Sequence, residues 1–122
     1  MALIFSILGS QPPREYPPQR IAFMSTRDRN FEIYVMDDDG TGQTRLTKSP
    51  GFDGLPCFSP DGAQIVFCSD RDPGSDYWAI YVMNADGSNQ LPLTDSAHDH
   101  VSPCFSPDGS KIAFASDRAN DN

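Results

Sequence analysis

The most chemically pointed stretch of the chain is His98-Asp99-His100. Two imidazoles one residue apart face the same side of an extended backbone, so His98 and His100 could share a metal ion with a third ligand from Asp53, Asp70 or another chain. The competing reading is a solvated loop, because the triplet occurs once and the related stretch earlier in the chain reads Gly51-Phe52-Asp53. A second tempting stretch, Asp37-Asp38-Asp39-Gly40, lacks the alternating ligands and distant Glu of a calcium loop. Its counterpart Asn84-Ala85-Asp86-Gly87 loses most of the charge and keeps the turn, so turn chemistry explains both.

Arginines offer a different chemistry. Ser69-Asp70-Arg71 and Ser116-Asp117-Arg118 match, with Ser25-Thr26-Arg27 as a degenerate copy. Arg71 and Arg27 could contact an anion or carboxylate, whereas their repetition suits a local Asp and Arg brace at a strand end. The loop Asp72-Pro73-Gly74-Ser75-Asp76-Tyr77-Trp78 is where the copies differ most. It makes Asp72, Asp76, Tyr77 and Trp78 the leading candidates for recognition, since Trp and Tyr favour binding hot spots. Trp78 could equally pack against a sheet edge. For catalysis there is no Gly-x-Ser-x-Gly, His-Glu-x-x-His or phosphate-cradling glycine loop, so neither an enzyme nor a cofactor is expected.

The elements that must hold these residues come from a repeat. Phe58-Ser59-Pro60-Asp61-Gly62, followed by Ile65-Val66-Phe67-Cys68, returns as Phe105 with Ser106-Pro107-Asp108-Gly109 and Ile112 to Ala115. Ser-Pro-Asp-Gly suits a tight turn, so each copy predicts a β-hairpin. Ile33-Tyr34-Val35-Met36 recurs as Ile80-Tyr81-Val82-Met83, and Leu46-Thr47 as Leu93-Thr94, at an offset of 47 residues. From Ile21 to Ile65 the offset is 44, the difference being a longer loop before Trp78. Four short strands in such a period describe propeller blades, and near-continuous apolar runs suit sheets covered on both faces. Eleven prolines and nine glycines among eight Phe and four Tyr agree with short aromatic strands and tight turns.

These repeats divide the chain into an N-terminal apolar strand and Pro-rich linker, residues 1–19, and propeller repeats over 20–122. The repeats comprise an incomplete blade 20–48, a complete blade 55–95 and a partial blade 101–118. The apolar segment is too short to span a bilayer, and no Lys or Arg precedes it, which makes it a poor secretory signal. A net charge of −8 excludes a nucleic-acid binder and favours cationic or neutral partners. Three cysteines cannot all pair within one chain. Cys57 and Cys104 share one repeat position, which suits packed thiols, and a cross-strand Cys57 to Cys68 disulfide is the alternative.

The order Phe-Ser-Pro-Asp-Gly, Ile-Ala-Phe, Ser-Asp-Arg, Ile-Tyr-Val-Met, Asp-Gly, Leu-Thr resembles the repeat of TolB-type β-propellers, a WD40-like blade also similar to propellers of prolyl-oligopeptidase-like peptidases. The resemblance implies an all-β fold, a binding or protein-interaction role, and a periplasmic or secreted location. Such peptidases carry their triad in a separate domain, absent here. Related oligogalacturonate lyases hold a metal through channel histidines, so a channel-metal lyase using His98 and His100 is the alternative function. In propellers of this kind, residues 26–30, 49–54, 70–77 and 97–101 lie on the loop face beside the channel mouth, which adds Asp53 to the candidates for a small ligand or another protein. Two blades and part of a third leave open edges. Either the chain is a truncated propeller fragment with no independent function, or it closes as a cyclic homo-oligomer, a trimer giving six blades.

Overall fold

The Ser-Pro-Asp-Gly turn shows how the hairpins are closed. In the computed structural model, which describes residues 19–118, Gly62 N donates to Ser59 O at 2.8 Å while Ser59 Oγ donates to Asp61 Oδ1 at 2.6 Å. Asp61 Oδ1 also accepts from Ala63 N, and Ser59 Oγ accepts from Gln64 N. Gly62 ends the turn at φ 71°, a left-handed conformation open to glycine at no steric cost. Ser106 and Asp108 repeat the pattern, with Gly109 at φ 73°.

The turns connect antiparallel strands in three sheets. The first contains β1 (Arg20–Ser25), β2 (Glu32–Asp37) and β3 (Thr44–Arg45). The second is a full four-stranded blade in the order β4 (Asp53–Phe58), β5 (Gln64–Ser69), β6 (Ala79–Asn84), β7 (Leu91–Pro92). β8 (His100–Phe105) and β9 (Ile112–Ser116) form the third. The fold is all-β, with propeller blades of four antiparallel strands, one complete and two partial among the described residues.

Strand β5 explains why the apolar runs are continuous. Its side chains alternate between faces, and both faces are covered. Ile65 and Phe67 join Ile33 and Val35 of β2 and Ala79, Tyr81 and Met83 of β6 in one cluster. Val66 and Cys68 pack with Ile80 toward Phe105 and Ile112 of the third sheet. The outermost strands are short because a side chain takes over the ladder: Thr47 Oγ1 accepts from Ile33 N and Thr94 Oγ1 from Ile80 N, each at 2.9 Å.

Two features differ from the sequence reading. β4 begins at Asp53 and β8 at His100, residues assigned above to loops. Each inner strand also carries a bulge, between Gly54 and Cys57 and between Val101 and Cys104. The bulge holds Leu55 at φ 53° and Ser102 at φ 56°, each followed by proline. It also sets the register, which places Cys57 opposite Val66 and Cys68 opposite Gly54, so Cys57 and Cys68 do not face each other and all three cysteines are free. The apolar segment of residues 1–18 lies outside the described residues.

Candidate functional site

Two of the three Ser-x-Arg repeats, at Arg71 and Arg27, build a cage around the guanidinium. Arg71 donates from Nε to Ser69 Oγ at 3.0 Å and from Nη1 to Gln90 Oε1 at 2.6 Å, and its guanidinium carbon sits 4.9 Å from the centre of the Tyr81 ring. Arg71 Nη2 also lies 2.7 Å from Asp53 Oδ2. Ser69 Oγ donates to the other carboxylate oxygen at 2.6 Å, so the fully buried Asp53 is satisfied on both oxygens. The brace is therefore made by Asp53 across the strand pair and not by the adjacent Asp70, whose Oδ1 instead accepts from Phe52 N at 2.6 Å. Asp53 is thereby removed from the loop-face candidates: it is strand-borne, buried and occupied.

Arg27 has the same cage, without a carboxylate among the described residues. Its Nε lies 3.1 Å from Ser25 Oγ and its Nη1 2.8 Å from Gln43 Oε1, and its guanidinium carbon sits 4.6 Å from the Tyr34 ring centre. In the complete blade that carboxylate, Asp53, comes from the inner strand β4. Behind it, Tyr34 and Arg45 Nη1 share Asp28, while Arg45 Nη2 meets the fully buried Glu32 at 2.8 Å. Sequence reasoning overlooks Glu32, whose counterpart in the complete blade is Ala79. It also passes over the glutamines, although Gln43 and Gln90 recur at the repeat offset.

The loop before Trp78 splits its candidates. Asp72 accepts from the Tyr81 hydroxyl, and burial together with this carboxylate pushes the tyrosine up to about 12. Asp76 and Tyr77 stay exposed. Trp78 is half-buried and helps to line an apolar cavity of about 330 Å³ with Met24, Phe31, Phe52, Leu55, Cys68 and Val101. Phe31 and Trp78 hold equivalent positions, each offering its carbonyl to the first residue of the next inner strand: Asp53 N at 2.9 Å and His100 N at 2.8 Å. Phe52 meets Phe31 edge to face at 6.0 Å. Met24, Phe31, Phe52 and Leu55 remain 39–45% exposed, so the cavity opens to solvent. The signal that could have found it is the repeat alignment of Phe31 with the Trp78 already singled out.

His98 and His100 lie side by side, with ring centres 6.5 Å apart. His100 is fully buried, edge-on to Phe114, with Nε2 3.6 Å from Asp95 Oδ1. His98 Nδ1 is 3.9 Å from Asp117 Oδ1. Asp53 is bound to Arg71 and Asp70 to Phe52 N, and among the described residues no three His, Cys, Asp or Glu side chains are grouped to hold a metal ion.

No protein-family model matches the chain. An uncharacterized protein of Agrobacterium fabrum is 41% identical over 56 residues, 46% of this chain and 19% of that protein. The Tol-Pal system protein TolB of Geobacter sulfurreducens is 48% identical over 46 residues, 38% of this chain and 11% of that protein. The chain thus spans only a minor part of these relatives. Among solved structures, a TolB candidate from Agrobacterium tumefaciens superposes with a TM-score of 0.71 at 39% identity, covering 80% of this chain and 34% of that one. TolB of Acinetobacter baumannii does so with a TM-score of 0.66 at 32% identity, over 78% of this chain and 23% of its own. With the blade order, the paired strands and the braced arginines, these likenesses give the chain a TolB-like β-propeller fold built from repeats of the Phe-Ser-Pro-Asp-Gly type.

Proposed function

We propose that the chain is a non-catalytic binding module that holds a protein segment through the apolar cavity between its loops. The observation that carries this reading is the cavity itself: beside the half-buried Trp78, Leu55, Phe31 and Phe52 present apolar surface that nothing among the described residues covers. Leu55 is itself the left-handed residue of the β4 bulge, an arrangement that aims a side chain at the cost of backbone strain. Relatives named as Tol-Pal system proteins support a role within a multi-protein assembly. Exposed Asp76 and a net charge of −8 favour a segment with an apolar anchor and neutral or basic flanks.

Peptides selected from a displayed random library test the reading. Trp78 is the chain's only tryptophan, so its emission reports directly on the cavity. Binding should shift that emission to the blue, and Leu55→Asn, which tolerates the left-handed backbone, should weaken affinity about tenfold or more. Selected peptides that bind Leu55→Asn as well as the parent and leave Trp78 emission unmoved would refute it.

A further inference from the structure

Cys57 and Cys104 occupy one position on successive inner strands, each just before the Phe that ends its strand. Their Sγ atoms approach to 3.6 Å across the boundary between the complete blade and the two-stranded sheet. A disulfide needs about 2.0 Å between sulfurs, so the two side chains must turn toward each other for the bond to form. Cys57 is half-buried and Cys104 exposed, so the pair is open to a small reagent from one side. The third thiol is excluded from this chemistry. Cys68 is 1% exposed, its Sγ lies 3.4 Å from Gly54 O, and burial pushes it up to about 11.

We propose that Cys57 and Cys104 form a reversible disulfide that staples the two-stranded sheet to the complete blade, made by exchange with a low-molecular-weight disulfide such as oxidised glutathione. The exposed Cys104, as thiolate, attacks one sulfur of the glutathione disulfide and expels the first glutathione thiolate. Cys57, as thiolate, then attacks the Cys104 sulfur of the mixed disulfide and expels the second. The two cysteines are oxidised, glutathione is reduced, and the two cysteine protons end on the released thiols. The neighbouring Cys57 thiol holds Cys104 above its ordinary value, so the first attack quickens as pH rises. The staple fixes β8, which carries the sheet's main contact with the blade, while β9 beyond it contains no buried residue. It closes a loop across 47 residues that includes β5, β6 and β7, which narrows the unfolded ensemble.

Full-length Cys68→Ser protein treated with oxidised glutathione provides the test. The expected product is an intrachain species lighter by two hydrogen atoms, whose peptide map links Cys57 to Cys104 and whose Tm rises by about 5 °C or more and returns with reductant. Adding Cys57→Ser should stop the reaction at a glutathione adduct on Cys104, which separates pairing from simple thiol reactivity. A Cys68→Ser product that retains glutathione on Cys104, dimers linked through Cys104, or an intrachain bond that leaves Tm unmoved would overturn the proposal.

Discussion

Arg71 and Arg27 occupy matched cages, and one carboxylate separates them. Removing the Arg71 guanidinium strands Asp53, which is fully buried, while Arg27 is exposed and leaves no buried charge behind. Arg71→Ala should therefore cost about 3–5 kcal/mol, whereas Arg27→Ala should cost about 1 kcal/mol, the loss of exposed cation–π contacts with Phe23 and Tyr34 and two exposed hydrogen bonds. Urea unfolding of the two variants measures the difference. Because the larger cost belongs to the orphaned carboxylate, Asp53→Asn combined with Arg71→Met should recover much of it. Equal losses for the two arginines, or no recovery in the double variant, would show that the Asp53 pair is not what distinguishes them.

At the scale of elements, the turns were the legible part, because Ser, Pro, Asp and Gly each act within four residues of one another. The inner strands were not. Asp53 reads as a loop residue because its partners, Ser69 and Arg71, lie 16 and 18 residues away, and nothing local reveals that a buried pair awaits it. Leu55-Pro56 hides a bulge for the same reason: a left-handed leucine is set by the pairing of Gly54 with Cys68 and Cys57 with Val66, not by its neighbours. The cavity was half legible, through Trp78 and not through Phe31 or Phe52, because it forms only where four strands from three sheets converge.

The turns also carry a pH signature. Ser106 Oγ, with the backbone and hydroxyl of Ser110, holds Asp108 at about 2, below its ordinary value of 3.8, and Ser59 lowers Asp61 in the same way. A carboxylate lowered in the folded state stabilises the turn fully above its ordinary value and loses that contribution as pH falls through the folded one. The Gly109 amide resonance, which reports the Ser106 to Gly109 bond, should therefore titrate near 2, and Asp108→Asn should abolish the transition. A midpoint at the ordinary carboxylate value would show that Asp108 does not brace its turn.

For the whole molecule, the open question of packing is what meets the free edges. Among the described residues β1 pairs only with β2, whereas its counterpart β5 is paired on both sides. At the other end β9 pairs only with β8, and four of its five residues are exposed. We propose that β8 of one copy pairs with the edge of β1 left open among the described residues of the next copy, with β9 displaced, so that three chains of two blades each close a six-bladed ring. Closure removes both edges at once, and it exchanges the weakly buried β9 for a strand continuous with a covered sheet. Light scattering should then give three times the chain mass over a wide concentration range. Within that trimer the amides of Ile112–Ser116 should exchange rapidly with solvent, since they have lost their ladder, while those of Arg20–Ser25 are protected on both sides. A monodisperse monomer, or a trimer whose Ile112–Ser116 amides are as protected as those of Gln64–Ser69, would mean that the edges are met in some other way.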